Sequence, residues 1–256
     1  MKLNFVIHED YFIAHVLHGM TSDRFSSQKY KKDIVAFKNY AWHKSKKLYD
    51  FLIARFYPET WLDYEVIKLT QELPDYLRTL KQSSQFNKLY VQTNNYLKTC
   101  ESQWEANYKT TVHIMKNLTG LNFDKIFTVF ITHPGLKNGC YLGKDKIAWG
   151  HTENWPNHTT VYLWHEILHS YFATSDTDHV IICFLTDEEL RIRLNGGEYP
   201  PFIMYKEFFP LTKKVLPDWR DYLRLEKKDI NNFRERLARK FKSQQSIVKW
   251  DEPATF

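Results

Sequence analysis

Apolar residues recur at two different periods along the chain, and the period changes near residue 120. The first eight residues alternate between apolar and polar side chains, which predicts a short first strand. From about residue 28 to residue 118 the apolar residues recur every three or four positions, which predicts four or five helices. Thr119-Gly120 ends this pattern. We therefore predict a mainly helical region over residues 1–120.

The second half has the pattern of strands followed by one apolar helix. Residues 125–133 are β-branched and aromatic, which predicts a buried strand. Pro134-Gly135 and Asn138-Gly139 predict turns, and residues 144–150 predict a second strand whose lysines favour a sheet edge. Residues 157–172 are apolar almost all round, which predicts a buried helix. We expect an α+β fold, with a small mixed sheet and the C-terminal helices in residues 121–256.

Composition indicates a globular protein with ample material for a core. Hydrophobic residues make up 43% of the chain, and the low counts of Gly (8) and Pro (9) exclude collagen-like and broadly disordered classes. No apolar run approaches the roughly 18 residues of a membrane span, and polar residues interrupt the opening segment too early for a signal peptide. Cys100, Cys140 and Cys183 form no CxxC pair, so we expect reduced thiols and a cytoplasmic location.

Charge alone identifies no partner. The formal net charge is +6, but the 36 basic and 30 acidic residues are spread over the chain. Residues 220–242 predict one or two basic amphipathic helices, a type that can attach to nucleic acid or a membrane surface. Acidic residues interrupt this stretch, so a solvated helix face is favoured and nucleic-acid binding is not expected.

Three polar residues interrupt the apolar helix predicted for residues 157–172. They are His165, Glu166 and His169, and positions four residues apart lie on the same face of a helix. His-Glu-x-x-His is a zinc-peptidase signature, with two histidine ligands and a glutamate base. Two buried histidines beside a paired carboxylate are the alternative, but a metal ion would satisfy all three costly buried groups together. We predict that His165 and His169 bind Zn²⁺ and that Glu166 is the catalytic base.

A catalytic zinc normally has three protein ligands, so a third should follow the helix. The metzincin pattern fails, because Phe172 and Ser175 occupy the places of its glycine and its third histidine. Asp176 and His179 are nearby candidates. Their surroundings, ATSDTDH, are more typical of a solvated loop.

A third-ligand candidate lies in the acidic segment after Thr186, which is expected to cap a helix. Eighteen residues separate His169 from Glu188. This spacing resembles the gluzincin zinc metallopeptidases, as in the thermolysin and M1 aminopeptidase families, over residues 125–195. The resemblance implies a zincin-like catalytic domain with Glu188 as the third zinc ligand. Glu189 is the competing candidate, but it lies about 100° away around the helix, so only one of the two can face the metal.

The sequence departs from these families in several places. The thermolysin-like carboxylate that supports a zinc histidine would fall at Ile192, so Asp187 or Glu189 would have to supply that hydrogen bond. The M1 sequence Gly-Ala-Met-Glu-Asn is absent, which argues against an M1-type exopeptidase. The resemblance also implies an edge strand that pairs with an extended peptide, a role that residues 146–150 can fill.

The resemblance further implies a Tyr or His that stabilises the oxyanion from a position after the glutamate helix. Tyr199 and Tyr205 are the nearest tyrosines, although with 16 tyrosines in the chain a structural role is favoured for each. Trp149 and His151 are candidates to line the substrate groove, and simple packing of Trp149 against the sheet is the alternative.

Together these residues predict a zinc metallopeptidase that acts on peptide or protein substrates. Zinc would lower the pKa of its bound water toward about 7. Glu166 would take the proton of that water and return it to the leaving amine. The alternative is a non-catalytic binding or regulatory protein in which the metal is a structural clasp without an open coordination position.

Overall fold

The computed structural model describes residues 1–19, 27–55, 70–172, 175–197 and 208–241. Within these ranges the chain is an α+β protein, as predicted, with one small mixed sheet among many helices. The strands are β1 (Lys2–Val6), β2 (Ile126–Ile131), β3 (Asn138–Gly143) and β4 (Lys146–Gly150).

Most of the described residues are helical. The helices are α1 (Glu9–His18), α2 (Lys31–Lys44), α3 (Lys46–Arg55), α4 (Leu73–Lys81), α5 (Ser84–Thr119), α6 (His158–Leu168), α7 (Asp176–Cys183), α8 (Arg191–Leu194), α9 (Phe209–Arg224) and α10 (Ile230–Lys240). A 3₁₀ turn, Gln28–Tyr30, precedes α2, and a π-helical segment, Phe184–Leu190, joins α7 to α8. None of the helices in the described ranges has both the length and the apolar composition that a membrane span requires.

The sheet has the strand order β1-β2-β4-β3. The β1–β2 and β2–β4 pairs are parallel, whereas β3 and β4 form an antiparallel hairpin. Three consecutive residues of positive φ make its turn: Gly143, Lys144 and Asp145. The prediction that residues 146–150 lie at a sheet edge is wrong, because β4 is paired on both sides. The edge strands are β1 and β3, although Asn138-Gly139 at the start of β3 has the composition of a turn.

The chain divides into two compact units. The first comprises Met1–Ala106 and Asp124–Ile167 and contains the whole sheet. Its core is built around α1, in which every residue from Tyr11 to Leu17 is buried. Helices α2, α3, α4 and the first turns of α5 contribute to the same core, and Tyr76 in α4 donates a 2.8 Å hydrogen bond to the carbonyl oxygen of Ala41 in α2.

The second unit comprises Asn107–Phe123 and the described residues from Leu168 onward. Closely packed aromatic rings form its centre. The rings of Phe184 and Trp219 lie 5.4 Å apart, and those of Tyr222 and Phe233 lie 4.6 Å apart. The Tyr222 hydroxyl donates a 2.7 Å hydrogen bond to the carbonyl oxygen of Leu118, which fixes α9 to the end of α5.

Candidate metal centre

Helix α6 carries the His-Glu-x-x-His motif and begins at a cap provided by the preceding loop. The Glu153 carboxylate accepts hydrogen bonds from the backbone N–H and the side-chain hydroxyl of Thr159. A negative charge at this end is favourable, because the first N–H groups of a helix have no intrahelical acceptor. The helix ends at Leu168, four residues before the predicted end. His165 and Glu166 are buried, and His169 follows the last helical residue and is half-buried.

Glu166 lies against β3, one of the two edge strands of the sheet. Its carboxylate accepts a hydrogen bond from the backbone N–H of Tyr141. Burial raises the pKa of Glu166 to about 8, and the Tyr141 hydrogen bond partly opposes this shift because it favours the charged form. A Cβ atom at Gly139 would lie 3.5 Å from Glu166 Oε1, so the absence of a side chain there leaves the carboxylate uncrowded. A carboxyl group whose pKa is near neutral can both accept and return a proton.

Two imidazoles meet in the second unit. The ring centroids of His169 and His179 lie 5.4 Å apart. Burial lowers the pKa of His169 to about 4; the neighbouring His179 adds to this effect, and the Asp178 carboxylate opposes it. His169 is therefore neutral at physiological pH, the form in which a histidine binds a metal ion.

His165, His169 and His179 form a candidate set of metal ligands. One ligand atom of each lies within 4.8 Å of those of the other two. His165 lies in the last turn of α6 and His169 directly follows the helix, so the end of α6 brings the two residues close together. Three imidazoles suit Zn²⁺ and leave a fourth tetrahedral position for water.

The placement of His179 differs from the sequence-based expectation. Residues 176–183 form helix α7 and not a solvated loop. Ser175 caps the start of the helix, because its hydroxyl oxygen accepts a 3.1 Å hydrogen bond from the Asp178 N–H. The missed signal is the spacing Ser-x-x-Asp, a capping pattern that marks a helix start.

The acidic residues after α7 lie in the π-helical segment. Thr186 does not cap a helix there, because its hydroxyl donates a 2.8 Å hydrogen bond to the carbonyl oxygen of Ile182 within the continuous helix. Glu188 is half-buried and belongs to neither group of candidate ligands among the described residues, so its role as a zinc ligand stays a prediction. Glu189 forms a 2.7 Å ion pair with Arg193.

Asp187 and Cys183 are a second pair of potential ligands. Both are buried, one turn apart, with ligand atoms within 4.8 Å of each other, and with His165 they make the second candidate group. No hydrogen bond from the described part of the chain reaches Asp187 Oδ1. Burial raises the pKa of Asp187 to about 7, while the positive charge of Arg191 opposes the shift.

An aromatic group surrounds the start of α6. Trp149 is buried and its indole N–H donates a 3.1 Å hydrogen bond to the Thr159 hydroxyl. Its ring stacks on Tyr162 at 5.9 Å, and Tyr162 lies 6.2 Å from the His165 ring. His158 completes a stripe on one face of α6, since positions 158, 162 and 165 follow helical spacing. Sequence reasoning singled out Trp149 but missed His158 and Tyr162.

Two further predictions concern residues near this group and after α8. His151 is half-buried and stacks on Trp149 at 6.3 Å between ring centroids. Tyr199 and Tyr205, the candidates for stabilising the oxyanion, lie outside the described residues.

Comparison of the chain with models of protein families, with curated proteins and with solved structures found no match. The candidate metal centre therefore depends on the residues and geometry of this chain alone.

Proposed function

We propose that the protein is a zinc-dependent metallopeptidase with a zincin-like catalytic region, which hydrolyses peptide bonds in a peptide or protein substrate. The observation that carries the proposal is the grouping of His165 and His169, the two histidines of the His-Glu-x-x-His motif, with a third imidazole at His179. Glu166 lies next to the first ligand in the sequence and is buried beside the sheet edge.

The three histidines would hold the metal, and the bound ion would supply a Lewis acid and a water molecule of lowered pKa. Neutral imidazoles favour this role, and the lowered pKa of His169 means that little competition from protons is expected at pH 7. Glu188 remains the alternative third ligand on the basis of family spacing.

Glu166 would act as the general base and then as the acid. Its pKa of about 8 lies close to the working pH, which is the condition for efficient transfer in both directions. A bound cation next to it would lower that pKa and favour the carboxylate before the reaction begins. The Tyr141 N–H fixes the orientation of the carboxylate without occupying all of its acceptor positions.

Strand β3 is the proposed binding edge for the substrate backbone. It is paired only with β4, so its other edge is available in the described sheet. An extended peptide that adds to β3 would place its backbone beside the strand that contacts Glu166.

A non-catalytic metal protein is the second candidate function. Cys183 and Asp187 favour it, because a coordination sphere completed by these side chains would leave no position open for water. Such a site predicts bound metal without hydrolysis of any peptide.

The test compares metal content and hydrolysis in the wild type, His165→Ala and Glu166→Gln proteins. Metal is counted by mass spectrometry after purification, and hydrolysis is followed with a library of quenched fluorescent peptides. We expect His165→Ala to lose the metal. Glu166→Gln should keep it and lose about 10² to 10⁴ in rate, the usual contribution of a general base. Equal zinc in the wild type and in His165→Ala would refute the proposal, whereas bound zinc without hydrolysis in the wild type would favour the second candidate.

The cytoplasm remains the proposed location. All three cysteines are free thiols, and Cys100 and Cys183 are buried. Free thiols are usual in a reducing compartment.

A further inference from the structure

Arg234 in α10 contacts both chain segments that carry the paired histidines of the second unit. Its Nε atom lies 2.5 Å from Asp178 Oδ1, and Asp178 immediately precedes His179. The guanidinium carbon of Arg234 also lies 4.3 Å from the ring centroid of Phe172, three residues after His169. The Arg234 side chain therefore links the segment that follows His169 to the segment that precedes His179.

The Asp178 carboxylate is fixed at both oxygens. Oδ1 pairs with Arg234, and Oδ2 accepts a 2.8 Å hydrogen bond from the Ser175 hydroxyl. The Asp178 side chain is 9% exposed and that of Arg234 is 16% exposed, so the pair is largely shielded from water. Shielded charges interact more strongly, and loss of one partner leaves the other without compensation.

We propose that Arg234 and Asp178 are positioning residues that set the separation and orientation of His169 and His179 for metal binding. The inference rests on the proposed function, because it assigns both histidines to the metal. Ligand atoms must reach their metal to within a few tenths of an ångström, and the two rings stand on different segments of chain. An arginine bound to both segments restricts their relative movement. Outer residues of this kind typically change metal affinity by about 10- to 100-fold.

Helix α10 has an attachment that does not involve the histidine segments. Lys240 forms a 2.7 Å ion pair with Asp218 in α9. Ile230, Phe233 and Leu237 are also buried on one face of α10. The helix should therefore stay docked when the Arg234 contacts are removed, and Lys240→Met is the matched control for loss of an ion pair on this helix.

The experiment uses the full chain and measures zinc affinity by competition with a chromophoric chelator. Arg234→Met and Asp178→Asn are expected to weaken zinc binding by about 10- to 100-fold. The double variant should lose little more than either single variant, because both residues act as one unit. Lys240→Met should bind zinc as the wild type does, and Arg234→Lys should recover part of the loss because it keeps the charge but not the planar fork.

A second readout separates positioning from folding. Cobalt replaces zinc, and the visible absorption bands of the cobalt protein report the geometry of its ligands. Arg234→Met and Asp178→Asn should shift these bands, while Lys240→Met should leave them in place. If Arg234→Met does not fold, Arg234→Lys and Phe172→Leu decide the question by the same measurement.

The inference is overturned if the folded variants bind zinc within twofold of the wild type and keep its cobalt spectrum. Failure of the proposed function has a different signature: the wild type itself would bind no zinc, or would bind it and hydrolyse no peptide.

Discussion

The ring centroids of His169 and His179 lie 5.4 Å apart, although nine residues separate them in the sequence. The turn after α6 and the capped start of α7 bring the two rings together. This spacing differs from the gluzincin spacing, in which eighteen residues separate the second histidine from a glutamate ligand. It makes His179 the geometric candidate for the third ligand, while Glu188 is the candidate by family resemblance.

The identity of the third ligand can be decided by comparing His179→Ala with Glu188→Gln. We expect His179→Ala to bind zinc at least 100-fold more weakly, because loss of a direct ligand costs more than loss of an outer contact. Glu188→Gln should retain affinity within a few-fold. Chelator competition on both purified variants measures this difference, and Glu189→Gln serves as a neighbouring acidic control. The opposite ranking would return the assignment to Glu188.

Glu166→Gln should stabilise the metal-free protein, increasingly so as the pH rises. The folded-state pKa of Glu166 is raised from 4.5 to about 8, so the wild type loses stability as the pH rises from 4.5 toward 8. The gain in the variant should be small at pH 5 and on the order of 4 kcal/mol at pH 8. Urea unfolding in the presence of a chelator measures it.

Glu105→Gln, at an exposed position of α5, is the control for that measurement and should show no such trend. A pH-independent difference between Glu166→Gln and the wild type would mean that the Glu166 carboxyl is not desolvated.

A second pH dependence comes from His133, which is fully buried in the first unit. Its Nε2 lies 2.9 Å from Gln92 Oε1, and its Nδ1 accepts a 3.0 Å hydrogen bond from the Gly135 N–H. Burial lowers the pKa of His133 from 6.5 to about 4. The contribution of the neutral ring to the free energy of unfolding is therefore fully present above pH 6.5 and is lost as the pH falls toward 4. The loss should be roughly 3 kcal/mol.

His133→Asn keeps an acceptor for Gly135 but cannot be protonated in this range. Its free energy of unfolding should therefore fall less steeply than that of the wild type between pH 6.5 and 4. His113→Asn, at an exposed position of α5, should follow the wild type. Urea unfolding at several pH values measures this dependence. If the free energy of unfolding fell equally with pH in the wild type and in His133→Asn, the lowered pKa of His133 would be contradicted.

The predictable parts of the fold are those encoded by local pattern. The β-branched run at residues 125–133 contains β2. The apolar stretch at residues 157–172 contains α6, which ends four residues before the predicted end. The proximity of His165 and His169 follows from their spacing of four residues at the end of α6. Their neighbour in space, His179, stands on a separate helix, and no periodicity in the sequence specifies that contact.

The sheet order is harder to predict because it depends on non-local pairing. Lys2 pairs with Ile126, a contact that no local pattern encodes. The hairpin turn uses Lys144 and Asp145 at positive φ, whereas sequence rules favour Asn-Gly at such positions. The Asn-Gly pair lies at the start of β3 instead. A turn is therefore predicted where the strand begins, and β3 is not predicted from the sequence.

Gly120 provides a test of the junction between α5 and the C-terminal helices of the second unit. Its φ is +72°, and a Cβ atom there would collide with the carbonyl oxygen of Lys228. Gly143 has a φ of +78° with open space around it, so it shares the strain without the collision. Gly143→Ala should cost about 1 kcal/mol of unfolding free energy through backbone strain alone. Gly120→Ala should cost at least twice as much, because either α5 or the loop before α10 must also move. Thermal unfolding of both variants measures the two costs. Equal costs would contradict the prediction, because they would mean that the loop at Lys228 moves away without loss of stability.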